Sequence, residues 1–226
     1  MRLNHAVASL SGLLIIVTAP LVLSASPVYT VPMGLNPGDQ YRLVFVTSST
    51  ISATSTNISD YDNFVNAVAK AAGSPLQSLG ATWQAVVSTA AVSAADHLGS
   101  FSTPIFRLDG AEVATGSAGL WSGSILQSID FDEQGAAASP VVWTGTAENG
   151  SAKNPLGGQP NIEVGCATIS NSLWIDLTMF GSDAPALPLY GISSVLTVPV
   201  PETGGVTVLL TGLFFLLGTK RYMRSR

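Results

Sequence analysis

Few residues of this chain are suited to catalysis. Apart from His5, the chain has one histidine, His97, and its one cysteine is Cys166. The pair could serve as base and nucleophile, and the alternative is that Cys166 is a structural residue. The sequence contains no Gly-x-Ser-x-Gly elbow and no glycine-rich phosphate loop, and no second histidine lies near His97 to complete a metal pair. These features favour a protein that is not an enzyme.

Carboxylates and aromatic rings are the other side chains that could form a site. The acidic run Asp130-Phe131-Asp132-Glu133 could bind a cation through a short loop, and the alternative is that it is simply solvated. No spacing between carboxylates indicates a general acid and base. The chain also has four tryptophans: Trp83, Trp121, Trp143 and Trp174. Each lies in an apolar segment, which favours the core over an exposed platform for stacking sugars.

The central part of the chain is acidic. Between Val28 and Pro199, four cations (Arg42, Lys70, Arg107, Lys153) face thirteen carboxylates, which gives a formal charge of −9. Nucleic acids and acidic sugars are therefore poor partners, whereas divalent cations are conceivable ones. A single cysteine excludes an internal disulfide. The roughly 170 residues of this region are enough for one domain with a real core.

The first 25 residues have the order of a secretory signal peptide. Arg2 and His5 precede an apolar stretch that runs to Leu23, and the small residues Ser24 and Ala25 follow. Cleavage after Ala25 fits this pattern, and the alternative is an uncleaved N-terminal anchor. The sequence therefore predicts that the following domain works outside the cytoplasm.

The last 27 residues, 200–226, combine a short motif, an apolar run and a basic tail. The motif is Val200-Pro201-Glu202-Thr203-Gly204, the apolar run is Val206 to Thr219, and four cations follow from Lys220. The run covers only about 21 Å as a helix, so that it spans a bilayer marginally. The basic tail would hold its end on the cytoplasmic side. A marginal anchor behind a motif suggests a segment that is recognised and removed.

This C-terminal arrangement resembles the PEP-CTERM sorting signals of bacteria, which exosortases process. The motif is closest to the Val-Pro-Asp-Ser-Gly variant, and it departs from the commoner form at Thr203, where a second proline is expected. It also resembles the Leu-Pro-x-Thr-Gly signal of sortases, with Val200 in place of leucine. A permanent membrane anchor is the remaining alternative. The partners implied are an exosortase-type or sortase-type enzyme and the membrane.

The central region reads as short strands with one well-defined helix. The helix is predicted to begin near Asp60, with Ser59 as its cap, and to stop at Gly73. In the first strand, Tyr41 to Val46, apolar residues lie on both faces. The other strands are predicted at 83–87, 105–108, 111–113, 141–146 and 189–198, with a turn at Asp109-Gly110 and a loop from Glu148 to Ile162.

This order of elements resembles the C-type lectin-like fold, including its endostatin-like branch. The residues that carry the lectin-like resemblance are Val142-Trp143-Thr144-Gly145, Gly158-Gln159-Pro160-Asn161, Cys166 with Trp174-Ile175-Asp176, and Leu189-Tyr190-Gly191. Those that carry the endostatin-like resemblance are Val44-Phe45-Val46-Thr47-Ser48, Pro104-Ile105-Phe106-Arg107-Leu108-Asp109-Gly110, Leu120-Trp121-Ser122-Gly123 and Trp143-Thr144-Gly145-Thr146. The resemblance covers about Gln40 to Thr197. It implies an α+β domain over residues 28–199, with short antiparallel strands and with the first and last strands paired.

The same resemblance implies a calcium-dependent sugar site. Its candidate ligands, for both Ca²⁺ and sugar, are Gln159, Asn161, Glu163 and Asp176. Ca²⁺ takes six to eight oxygen ligands, mostly from carboxylate and amide groups. Ile175 stands where sugar-binding members have a ligating asparagine, and the fold's disulfides are missing. The alternative is that 157–165 is a polar loop and that Trp174 belongs to the core.

Together, these features predict an exported, envelope-anchored protein without catalytic activity. We expect it to bind exopolysaccharide or another surface component, and not nucleic acid. The alternative is a structural protein of the extracellular matrix with no defined ligand site, and an uncharacterised hydrolase is the third hypothesis.

Overall fold

The computed structural model describes residues 28–158, 160–181 and 184–201. The predicted signal peptide and all of the predicted sorting signal beyond Pro201 lie outside these residues. Within the described ranges, no helix combines the length and the hydropathy needed to cross a membrane.

The described residues form a mixed α+β structure with few helices. The strands, in chain order, are β1 (Gln40–Val46), β2 (Trp83–Ala85), β3 (Ile105–Arg107), β4 (Glu112–Ala114), β5 (Val141–Trp143), β6 (Asn161–Cys166), β7 (Thr178–Gly181), β8 (Tyr190–Ser193) and β9 (Leu196–Thr197). The α-helices are α1 (Ile58–Ala69), α2 (Ala94–Leu98) and α3 (Ser117–Leu120), and short 3₁₀ helices span Gln77–Leu79 and Ser172–Trp174. The α+β class predicted from the sequence is confirmed at this level.

The strands form two sheets. The larger has the order β2-β8-β1-β3-β4, with β9 beside the start of β1, and the smaller has the order β5-β6-β7. The last strands, β8 and β9, pair with the first strand in antiparallel fashion. In contrast, β1 and β3 are parallel, so the larger sheet is mixed, and the expectation of antiparallel strands throughout was wrong at this pair.

Strand β1 separates two hydrophobic clusters. Tyr41, Leu43 and Phe45 belong to one cluster, and Val44 and Val46 belong to the other. All five side chains are buried, which confirms the prediction of a strand buried on both faces. Because burying one large apolar side chain contributes about 1.5–3 kcal/mol, this single strand anchors much of the apolar packing.

The closing segment is interrupted between β8 and β9, where one continuous strand was predicted. The hydroxyl of Ser193 accepts the backbone N–H of Leu43 at 2.9 Å, and the Arg42 guanidinium donates to the Ser193 carbonyl at 2.9 Å. Side chains thus replace the regular ladder at this position. The strand resumes at Leu196, which lies opposite Tyr41.

Helix α1 begins at Ile58, two residues earlier than predicted, and its cap is Asn57 instead of Ser59. The Asn57 side chain accepts the N–H of Ser59 at 3.2 Å. The carboxylate of Asp62, three residues after Ser59, accepts the N–H of Ala85 in β2 at 2.8 Å and makes no hydrogen bond to the N–H of Ser59 among the described residues. The helix ends at Ala69, before the predicted stop at Gly73.

Helix α1 also covers the outer edge of the larger sheet. Asp62 and Asn66 accept the N–H groups of Ala85 and Trp83, the alternate residues of β2. His97 Nε2 lies 3.0 Å from the same Asp62 Oδ1, a contact in which the carboxylate oxygen accepts. These contacts join α1, β2 and α2, and they leave the N–H groups of this edge strand satisfied.

The smaller sheet contains two strands that were not predicted. Strand β6 begins at Asn161, inside the segment predicted as a loop, and pairs with β5 and with β7. The alternative prediction of a polar loop over 157–165 was therefore wrong from Asn161 onward. In β6, the residues Ile162, Glu163 and Val164 are buried, so the carboxylate of Glu163 lies inside the protein.

Candidate functional site

The candidate residues lie where β6 meets the loop after β5 and the turn after Trp174. The loop is held by a hydrogen bond from the Lys153 N–H to the Gly145 carbonyl at 2.9 Å, and the Glu163 N–H donates to the Asn154 carbonyl at 3.0 Å. The turn is held by the N–H of Asp176, which donates to the Ser172 carbonyl at 3.1 Å. Three separate segments therefore bring Lys153, Glu163 and Asp176 together.

The side chains of this group form a closed network. Lys153 Nζ lies 2.5 Å from Asp176 Oδ1 and 3.8 Å from Glu163 Oε2. Asn154 Nδ2 donates to the same Glu163 oxygen at 3.0 Å. The Glu163 side chain is 1% exposed, whereas the Lys153 side chain is 46% exposed. One ammonium ion thus serves two carboxylates, one of them buried.

Burial raises the pKa of Glu163, and the nearby Asp176 carboxyl raises it further. The hydrogen bond from Asn154 and the charge of Lys153 act in the opposite direction. The hydrogen bond to Asp176 raises the pKa of Lys153, although its burial has the opposite effect. Lys153 therefore keeps its positive charge across the physiological pH range. For Glu163, burial is the largest of these effects, and it favours the protonated carboxyl.

The raised pKa of Glu163 predicts a pH dependence of stability. A carboxyl whose pKa is higher in the folded state binds its proton more tightly there, so its contribution is full below the unfolded pKa of about 4.3 and is lost as the pH rises through the folded pKa. Glu163→Gln should abolish that loss. As the pH rises from the unfolded pKa through the folded pKa of Glu163, we therefore expect the free energy of unfolding of the natural protein to fall relative to that of the variant.

Urea unfolding of both proteins at a series of pH values measures this difference. Glu148→Gln, at an exposed carboxylate near Lys153, is the matched control and should leave the profile unchanged. A relative stability of the natural protein that rises with pH over this interval would contradict the burial argument.

The other predicted ligands are not part of this network. Asn161 is the exposed first residue of β6, and among the described residues no hydrogen bond joins its side chain to Glu163 or Asp176. Gln159 lies outside the described residues. The structure thus brings together two of the four predicted residues, and it adds Lys153 and Asn154, which the sequence reasoning did not select. The one signal for Lys153 was its rarity, as one of four cations in an acidic region.

The described residues do not fit a calcium ion. They include no group of three or more His, Cys, Asp or Glu side chains placed to hold a metal. Between Glu163 and Asp176, the position that a cation would take is occupied by the ammonium of Lys153. A calcium ion needs six to eight oxygens at about 2.3–2.6 Å, and the ammonium that pairs with these two carboxylates would repel it.

The acidic run 130–133 is not an ion site either, because its carboxylates have separate partners. Asp130 accepts from Arg107 at 2.6 Å, and Asp132 accepts the N–H groups of its own turn at 2.9 Å. Glu133 accepts the N–H and the hydroxyl of Ser48. The alternative of a solvated run was also wrong for Asp132 and Glu133, which are buried.

His97 and Cys166 do not contact each other. His97 contacts Asp62, whereas the Cys166 thiol lies 3.3 Å from the hydroxyl of Thr168. Neither arrangement places a base beside a nucleophile, as covalent catalysis requires. Within the described part of the chain, these two residues therefore give no support to a thiol hydrolase.

A cavity of about 170 Å³ lies between β4, α3 and the segment that follows α3. Hydroxyl residues line one part of it, and apolar residues line another: Thr115, Ser122 and Ser124, then Val113, Ile125 and Leu126. No charged residue lines it, and Leu126 is 58% exposed. The cavity is smaller than the roughly 300–1,000 Å³ of pockets for drug-sized ligands, so it suits one small ring or chain end.

The tryptophans lie mostly in the core, as predicted. Trp83, Trp143 and Trp174 are at most 2% exposed, whereas Trp121 is half-buried. The rings of Trp121 and Trp174 stack with 6.2 Å between their centroids. Trp121 is thus the one tryptophan whose ring is partly open to solvent.

In comparisons with known proteins, no protein-family model matches the chain, and no curated protein has a significantly similar sequence.

Proposed function

We propose that the chain is an exported protein of a bacterial cell envelope, with a C-type lectin-like domain that binds uncharged extracellular polysaccharide without catalysis. Export is supported by the order of the N-terminal segment, and sorting is supported by the motif at Val200 to Gly204. The lectin-like architecture is supported by the pairing of β1 with β8 and β9, which brings residues 38 and 198 within hydrogen-bonding distance at 3.0 Å.

The observation that carries the binding proposal is the uncharged cavity beside β4. Sugar rings present hydroxyl groups together with apolar C–H surfaces, and the hydroxyl and aliphatic side chains of the cavity match both. A formal charge of −9 disfavours acidic polymers. The ligand class that fits is therefore a neutral glycan, bound through one sugar unit or a chain end.

A glycan array with the purified full-length protein tests this proposal. We expect neutral glycans to bind equally in calcium and in chelator, because no charged residue lines the cavity. Ser124→Trp fills the cavity and should weaken binding at least about tenfold, equivalent to about 1.4 kcal/mol. Ser139→Trp, at an exposed serine outside the cavity lining, is the matched control.

Asn161→Ala examines the site that the sequence predicted. If this variant loses binding while Ser124→Trp retains it, the glycan binds at the start of β6 and not in the cavity. An array without signal for the natural protein would contradict the binding proposal altogether.

The alternative function is a structural role in the extracellular matrix. The network of Lys153, Glu163 and Asp176 favours it, because these side chains are paired with one another and not directed at a ligand. An array without signal, together with retention of the protein in the matrix, would support this alternative.

Export itself is tested with a reporter joined after Val198. In intact cells, we expect the reporter to be accessible to an added protease. A reporter that becomes accessible only after lysis would contradict the proposed location.

A further inference from the structure

The ammonium of Lys153 lies within ion-pairing distance of two carboxylates. It lies 2.5 Å from Asp176 Oδ1 and 3.8 Å from Glu163 Oε2, and it is the nearest cation to a glutamate that is 1% exposed. A buried carboxylate is stable only when it is paired, hydrogen-bonded or protonated. The protein itself therefore supplies what a divalent cation would otherwise supply.

We infer that Lys153 is a built-in cation that replaces a metal between Glu163 and Asp176 and makes this protein independent of calcium. As a statement about ligand binding without calcium, the inference rests on the proposed function. As a statement about metal binding, it stands on the contacts of the described residues alone.

The backbone fixes Lys153 in this position. Its N–H donates to Gly145, and the next residue, Asn154, has a φ of 44°, a left-handed conformation that asparagine tolerates better than most residues. In this conformation Asn154 meets Glu163 twice, through its carbonyl and through its side-chain amide. Hydrogen bonds therefore hold the Lys153-Asn154 pair against β6, and the backbone of this pair helps to place the Lys153 ammonium near Glu163.

The local charges are incompletely balanced by Lys153. Glu163 and Asp176 carry two negative charges when ionised, and the exposed Glu148 adds to the field around the ammonium. Without Lys153, the carboxylates would repel one another and would attract a divalent cation from solution. Removing the lysine charge should therefore convert an ion pair into a weak metal site.

Thermal unfolding of Lys153→Gln in millimolar CaCl₂ and in chelator tests the inference. In chelator, we expect this variant of the full-length protein to melt roughly 2–4 °C below the natural protein, and calcium should recover part of the loss. The natural protein and Lys153→Arg should each melt within about 1 °C in the two buffers. Lys70→Gln, which removes an exposed lysine at the end of α1, is the matched control and should show no calcium response.

A calcium-dependent rise in the melting temperature of the natural protein would overturn the inference. It would also be overturned if neither calcium nor another divalent cation stabilised Lys153→Gln, because the two carboxylates would then not be acting as ligands. If Lys153→Gln does not fold, terbium luminescence of the natural protein decides. No saturable signal supports the inference, and a saturable signal that Asp176→Asn removes contradicts it.

No glycan takes part in these measurements. Failure of the glycan array would therefore leave the result for Lys153 unchanged. If the natural protein bound metal, the inference about Lys153 would fail, but the glycan array would still decide whether the protein binds glycans.

Discussion

Replacing Gly165 with alanine should destabilise the protein by about 3 kcal/mol or more. A Cβ at this position would lie 2.1 Å from the carbonyl oxygen of Trp174 and 2.9 Å from the Cα of Ile175. Both are backbone atoms and cannot rotate away, so β6 and the turn after Trp174 would have to separate. Urea unfolding followed by circular dichroism measures the loss.

Gly158→Ala is the control for this prediction. Gly158 has a φ of 106°, but a Cβ there meets no atom within 4 Å. Its replacement therefore adds conformational strain without a clash, and we expect a cost of about 1 kcal/mol. Equal losses for the two variants would show that the close approach of β6 to the turn is unimportant.

The same contact positions the candidate site. Gly165 allows the turn to approach β6, and that turn carries Asp176 to Lys153. A glycine without catalytic chemistry thus determines whether the ion network forms. In the folded fraction of Gly165→Ala, we therefore expect the network around Glu163 to be disturbed as well.

Replacing Trp174 with alanine is the second change with a large expected effect, about 3–5 kcal/mol. Trp174 is fully buried, and its ring lies between Trp121 and Tyr190, with centroid distances of 6.2 and 5.5 Å. The loss of so large a buried ring leaves a cavity that the rigid surroundings fill only partly. Urea unfolding at constant m-value measures the loss.

Trp174→Phe separates packing from hydrogen bonding. Among the described residues, the indole nitrogen of Trp174 has no hydrogen-bond partner, so phenylalanine loses volume but no polar contact. We expect Trp174→Phe to reduce the free energy of unfolding by less than half as much as Trp174→Ala does. A Phe variant as unstable as the Ala variant would contradict the packing argument.

The sequence predicted best those features that depend on neighbours in the chain. The two-sided burial of β1 followed from five apolar residues among the six from Tyr41 to Val46. The turn at Asp109-Gly110 followed from its residue types, and Gly110 has the positive φ, 87°, that this turn requires. Local sterics and periodicity act within a few residues, which is why these predictions were confirmed.

Strand β6 shows a local signal that was overlooked. Apolar Ile162 and Val164 alternate with Asn161 and Glu163, which is the period of a strand. The polar, glycine-rich composition of the segment from Glu148 to Ile162 led to the prediction of a loop. The burial of Glu163 had no local signal, because it depends on a lysine ten positions earlier in the chain.

The candidate site required distances that a sequence does not contain. Asp176 and Lys153 are 23 positions apart, and only the fold decides that they pair. The parallel pairing of β1 with β3 likewise depends on the path of the intervening chain. The predicted ligand set therefore contained the two carboxylates but omitted the cation that joins them.

The pairing of β1 with the last strands, β8 and β9, also delays folding. The hydrogen bond from Leu43 to Ser193 links positions that are 150 residues apart, and long-range pairing of this kind slows folding. The central strand stays without half of its partners until the final strands have been synthesised. For a polypeptide that is threaded through a membrane before it folds, as proposed for this one, such a delay keeps the chain competent for translocation.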